Sequence, residues 1–228
     1  MNSKIELFFS KDFEVEINEN MFYYRYKFPT NEICNYIGAL INIPYSEFIS
    51  YIHNHVQILP ITSKDIPQFS SFKACTIDIC KKIHEVNDPG LSFVEVGKLL
   101  LDDHKLRNDI AYRKYGENHS KTAYELGLTQ FKENICYLSC IGSVFLSFDE
   151  KNQNAILARC ILRNRFISRI IADSENADVN IMKYMLCLSK STIFRRKSNI
   201  MSLINLCKYQ IFDNQPGLLK KIYFEYNN

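Results

Sequence analysis

Apolar positions recur along this chain at two periods, and the change from one to the other marks its organisation. Before residue 72 the pattern is mixed. Glu14-Val15-Glu16-Ile17 alternates polar and apolar, and residues 21–28 are rich in aromatic residues, so both predict short strands. Residues 31–40 and 45–53 carry apolar side chains at helical spacing, with Thr30 placed to cap the first of these helices. Pro60, Pro67 and Ser70-Ser71 then punctuate the chain.

From Cys75 onward the period is mainly helical. Ile77, Cys80, Lys81 and His84 space one helix, which the turn sequence Asn87-Asp88-Pro89-Gly90 ends. Ser92 followed three residues later by Glu95 is a capping-box spacing and predicts a helix over 93–101. A further helix is expected over 106–115 with Gly116 as its stop. Asn118 or Ser120 then opens a short helix that Gly127 terminates. Residues 129–138 read as a two-stranded wing, and Ser139 caps the helix after it, where Gly142 permits close approach to the wing.

In the last third, Ile161, Leu162, Phe166, Ile167, Ile170 and Ile171 form one apolar stripe. A polar turn over 173–178 leads to a short helix through Val179, Ile181, Met182, Met185 and Leu186, and Leu188-Ser189 turns sharply into a helix over 189–207. The expected fold is mainly α with small β-wings, an α+β arrangement of tandem helix-turn-helix units behind a small mixed N-terminal module. The segments are 1–72, 73–158 and 159–228.

Charge sharpens this division. Residues 1–74 carry six Lys and Arg against eight Asp and Glu, residues 75–158 ten against twelve, and residues 159–228 twelve against five. A local basic patch is what a phosphate-binding surface requires, because polyanion affinity comes from local cations releasing counterions. On a wheel of roughly 100° per residue, the helix 189–207 turns Ile193, Ile200, Met201 and Ile204 one way and Ser191, Thr192, Arg195, Arg196, Asn199 and Ser202 the other. Hydroxyls near a helix N-terminus, two arginines that pair with guanine or phosphate, and an asparagine suited to adenine are major-groove chemistry. Lys190 and Lys197 flank that face. In the central segment Arg113, Lys114, His119 and Lys121 surround Gly116 and are candidates for phosphate contact.

Two stretches carry a resemblance. Ala123-Tyr124-Glu125-Leu126-Gly127-Leu128 followed by Tyr137-Leu138-Ser139-Cys140-Ile141-Gly142 resembles the end of winged-helix domains in bacterial regulators. Residues 91–100 (LSFVEVGKLL), 113–123 (RKYGENHSKTA), 162–165 (LRNR) and 188–196 (LSKSTIFRR) together resemble a tandem winged helix-turn-helix region of bacterial restriction-modification and regulator-like proteins. The resemblance covers about residues 91–207 and implies sequence-specific binding of double-stranded DNA, either as a transcriptional regulator or as the target-recognition component of a restriction or defence system. Its implied partners are double-stranded DNA and a second copy of the chain, or a nuclease or methyltransferase.

Enzymatic signals are sparse. Asp103-His104-Lys105 with Asp88 upstream matches the letters of a Mg²⁺-dependent restriction nuclease, and the alternative reading is a small endonuclease with its site in the N-terminal half. Those residues fall between predicted helices rather than on adjoining strands, so the favoured reading has no catalytic residue, no metal and no cofactor. His53-Asn54-His55 reads as polar helix-end residues. Eight cysteines without a CxxC pair, and no secretory leader in residues 1–10, predict reduced core thiols in a cytoplasmic protein. No apolar run approaches the roughly 20 residues that cross a bilayer.

Overall fold

The computed structural model describes residues 2–9, 16–17, 24–25, 30–55, 60–86, 90–101 and 107–226. The turn expected at Asn87-Asp88-Pro89 and the Asp88/Asp103/Lys105 set fall outside the described residues. The chain is mainly helical with small sheets. No helix among the described residues is long and apolar enough to cross a membrane.

The N-terminal part contains α1 (Asn2–Phe9), an antiparallel pair β1 (Glu16–Ile17) and β2 (Tyr24–Arg25), then α2 (Thr30–Ile41) and α3 (Tyr45–His55). Ile5 and Phe8 of α1 are fully buried, and Phe8 meets Phe48 of α3 edge-on at 6.1 Å. The two helices and two strands expected here are present, the helices almost at the expected bounds.

The central part runs α4 (Ile77–Val86), β3 (Leu91–Ser92), α5 (Phe93–Leu100), α6 (Asp109–Glu125), β4 (Thr129–Lys132), β5 (Ile135–Leu138) and α7 (Cys140–Phe145). β5 is the middle strand of an antiparallel sheet ordered β3-β5-β4, with Leu91 opposite Cys136 and Gln130 opposite Tyr137. Glu133 and Asn134 join β4 to β5 with φ of 50° and 67°, the double left-handed geometry of a tight hairpin. Ser92 makes the capping box with Glu95, and Ser139 caps α7 by accepting from the Gly142 amide at 2.9 Å.

Gly116 does not stop a helix. α6 runs through it without a break to Glu125, and the glycine serves a crossing instead. A Cβ on Gly116 would lie 2.0 Å from the Phe93 carbonyl oxygen, and one on Gly97 would lie 2.0 Å from that of Tyr112. Two glycines therefore bring the backbones of α5 and α6 into direct contact. A helical glycine costs about 1 kcal/mol relative to alanine, and the packing it permits outweighs that cost. Gly127, at φ 79°, does end the helix.

The C-terminal part contains α8 (Glu150–Ile161), α9 (Arg165–Asn176), β6 (Val179–Asn180), a 3₁₀ turn Ile181–Tyr184, α10 (Lys190–Asn214) and β7 (Ile222–Tyr223), which pairs parallel with β6. The apolar stripe from Ile161 to Ile171 is split between two helices. Asn164 caps α9 by accepting from the Ile167 amide at 3.1 Å, so Leu162 and Arg163 form a corner. The short helix expected after Val179 is a strand followed by a 3₁₀ turn, and α10 continues past Cys207 to Asn214.

Elements from all three segments share one apolar core. Arg159 of α8 is only 3% exposed and joins two of them. It donates to the Tyr45 hydroxyl at 3.0 Å, to the Ile43 carbonyl at 2.9 Å and to the Ile41 carbonyl, while its guanidinium lies 4.4 Å from the Tyr45 ring centroid. The carbonyls at the C-terminus of α2 are thus satisfied by an arginine from α8. Six of the eight cysteines are buried, and burial pushes the thiols of Cys136 and Cys160 up to about 12.

Candidate nucleic-acid interface

α6 begins at Asn108, whose side chain accepts from the Ala111 amide at 2.9 Å. Its inner side buries His119, Ser120, Thr122 and Ala123, and α5 covers the flank at Gly116. The outer side, one sector of roughly 100° at 100° per residue, presents Ile110, Arg113, Lys114, Glu117, Lys121 and Tyr124. Ile110 is 79% exposed. Lys121 pairs with Glu117 at 2.5 Å, and Lys98 of α5 pairs with Asp109 at 3.0 Å. Arg113 and Lys114 are exposed and make no ion pair among the described residues. A shallow cleft of about 260 Å³ brings Arg113 together with Phe93 at the start of α5 and with Glu133 and Asn134 at the hairpin turn. Helix, hairpin tip and a free cation thus share one surface.

His119 is elsewhere. It is 1% exposed, its Nδ1 hydrogen bonds the Tyr115 carbonyl at 2.8 Å, and its Nε2 accepts from the Ser70 and Ser71 amides at 3.3 Å each. Burial lowers its pKa. This histidine holds the 66–71 segment against α6 and is closed to any phosphate.

α10 divides the sequence-predicted residues differently from the wheel. Ser189 caps it. Arg196 donates to the Ile66 carbonyl at 2.9 Å and to Gln68 Oε1 at 2.6 Å, and Asn199 donates to the Phe69 carbonyl at 2.7 Å. Both side chains are spent clamping α10 onto the segment that His119 holds from its other side. Thr192 is half-buried and its Oγ1 accepts from Ser189 at 2.9 Å. Lys190 lies 5.5 Å from the Tyr226 ring centroid, and Lys197 lies 4.6 Å from that of Phe224. Ser191, Arg195 and Ser202 remain exposed. Of the eleven predicted residues, Arg113, Lys114 and Lys121 share the outer face of α6, Ser191 and Arg195 are exposed on α10, and His119, Arg196 and Asn199 are committed to the fold.

Ile110 and Tyr124 on the outer face of α6 are not among the sequence-predicted residues, and neither is Arg159. The last had a signal, a lone arginine within the otherwise apolar run Ala155 to Leu162. His53 pairs with Glu175 at 3.2 Å and His55 stacks on Tyr51, so the two point to different partners. No group of three or more metal-ligating side chains occurs among the described residues. Among family models, curated proteins and solved structures, none matches this chain.

Proposed function

We propose that the chain binds double-stranded DNA, as a regulator or as the target-recognition component of a restriction or defence assembly, and that residues 77–138 are a winged-helix unit with α6 as its groove helix. The observation that carries this reading is the outer face of α6 beside the hairpin. The order helix, strand, two helices, hairpin, with the first strand added to the hairpin's second, is the arrangement in which a third helix enters the major groove while the wing follows the backbone.

The chemistry of the face agrees. On α6 itself three cations stand against one carboxylate, Glu117, with Glu133 lining the adjoining cleft; Arg113 suits guanine or phosphate, and Ile110 and Tyr124 offer apolar contact to thymine methyls. The reading helix is thereby α6 rather than α10, whose Arg196 and Asn199 are occupied. Selection from a random duplex library followed by fluorescence-anisotropy titration at several salt concentrations tests the proposal. Enrichment of a consensus and affinity that falls with salt are expected, with the salt slope reduced by about 1 for each of R113A and K114A that loses a phosphate contact. No binding to any duplex at low salt overturns it.

A further inference from the structure

We propose that α10 is a self-association surface on which two copies of this chain pair antiparallel. The exposed residues at 195, 198, 202, 205, 209 and 212 step by alternating three and four, the repeat that keeps one seam facing a partner helix. They lie in a sector about 100° wide that extends over most of a 25-residue helix. Tyr209 and Phe212 are 65% and 69% exposed. Two large aromatic side chains left outside on adjacent turns at one end of the stripe are an apolar patch that a partner would cover.

The stripe is complementary to itself. An antiparallel alignment centred between positions 203 and 204 sets Ser202 against the second copy's Asn205 and Ser198 against its Tyr209, the pairing of alternate seam positions that antiparallel helices adopt. Serines at the middle let the backbones approach, and Asn205 supplies a hydrogen-bonding partner. Arg195 and Asp213 occupy the same flank of the seam. A two-fold axis between antiparallel helices brings like flank to like flank, so each Arg195 meets an Asp213, twice per dimer. The seam with its flanks carries one positive and one negative charge. That balance suits a second copy and not a phosphate backbone, and it leaves α6 free for DNA.

Sedimentation velocity or light scattering between about 1 and about 200 µM protein, without DNA, tests this. The wild-type chain is expected to dimerise as concentration rises. R195D and D213R each place like charges together and weaken the dimer by roughly tenfold or more, whereas the double variant R195D/D213R restores the pair with its signs exchanged and regains the dimer. Both positions are exposed, so the monomer's circular dichroism and melting stay unchanged. A wild-type chain that is monomeric throughout, or a double variant that stays as weak as the singles, overturns the proposal.

Discussion

Arg196 of α10 and Gln68 of the preceding segment are joined at 2.6 Å, across 128 residues of sequence, with the Ile66 carbonyl as a second acceptor for the same guanidinium. Arg195, its neighbour, points outward. The two arginines are therefore opposite in role. R196A is expected to destabilise the fold by about 1–3 kcal/mol, because two bonds to a charged donor are lost and a half-buried carbonyl is left unmet. R195A leaves stability within about 0.5 kcal/mol. Urea denaturation of the two variants separates them, and equal stabilities contradict the assignment.

The crossing of α5 and α6 makes a second expectation. A methyl at position 116 meets the Phe93 carbonyl at 2.0 Å, where only backbone movement relieves it. G116A gains helix propensity of about 1 kcal/mol yet is expected to lose about 1–3 kcal/mol or more through overpacking. It also displaces the outer face of α6, so DNA affinity falls with stability. A melting temperature at or above wild type would show that the helices do not touch there.

Glu125 provides a pH dependence. It is half-buried at the end of α6, where burial pushes its carboxyl from 4.5 up to about 7, the nearby Asp65 adds to that shift, and the Asn164 hydrogen bond and Arg196 oppose it. The folded state therefore holds a proton that the unfolded chain releases near 4.5, and this contribution to stability falls as pH rises from about 4.5 to about 7. His119 acts with the opposite sign. Its lowered pKa favours the neutral ring in the fold, so its contribution is present above about 6.5 and is lost as pH falls. The informative quantity is a difference: subtracting the stability profile of E125Q from that of wild type isolates a slope that declines across pH 4.5–7. A flat difference excludes the buried proton.

Arg159 makes a further expectation for stability. Truncation to alanine leaves the Tyr45 hydroxyl and the Ile41 and Ile43 carbonyls without their donor inside the core. A loss of at least about 2 kcal/mol follows. R159K, which keeps the charge but not the planar fork, recovers only part of it. Chemical denaturation of both variants measures the difference, and full recovery by lysine would mean that charge alone matters.

How much of this was legible in the sequence depends on the range of the interaction. The caps at Ser92 and Ser139, the hairpin over 129–138 and the end of α6 at Gly127 are set by side chains and backbone groups within a few residues of one another. Local spacing therefore predicts them. The outer face of α6 was legible in part, since Arg113, Lys114 and Lys121 stand out as cations around a glycine, but the continuity of the helix was hidden because a glycine in a sequence reads equally as a stop or as a crossing.

The sequence by itself determined the mainly helical class, most of the elements and the basic character of the last third, all properties of composition and short-range periodicity. Only the tertiary structure decided which side chains of α10 are available. A helical wheel assigns Arg196 and Asn199 to the polar side, yet a segment some 130 residues earlier supplies carbonyls for both. Polarity is a property of a residue, whereas exposure is a property of what packs against it, and that packing is fixed by contacts far apart in the chain.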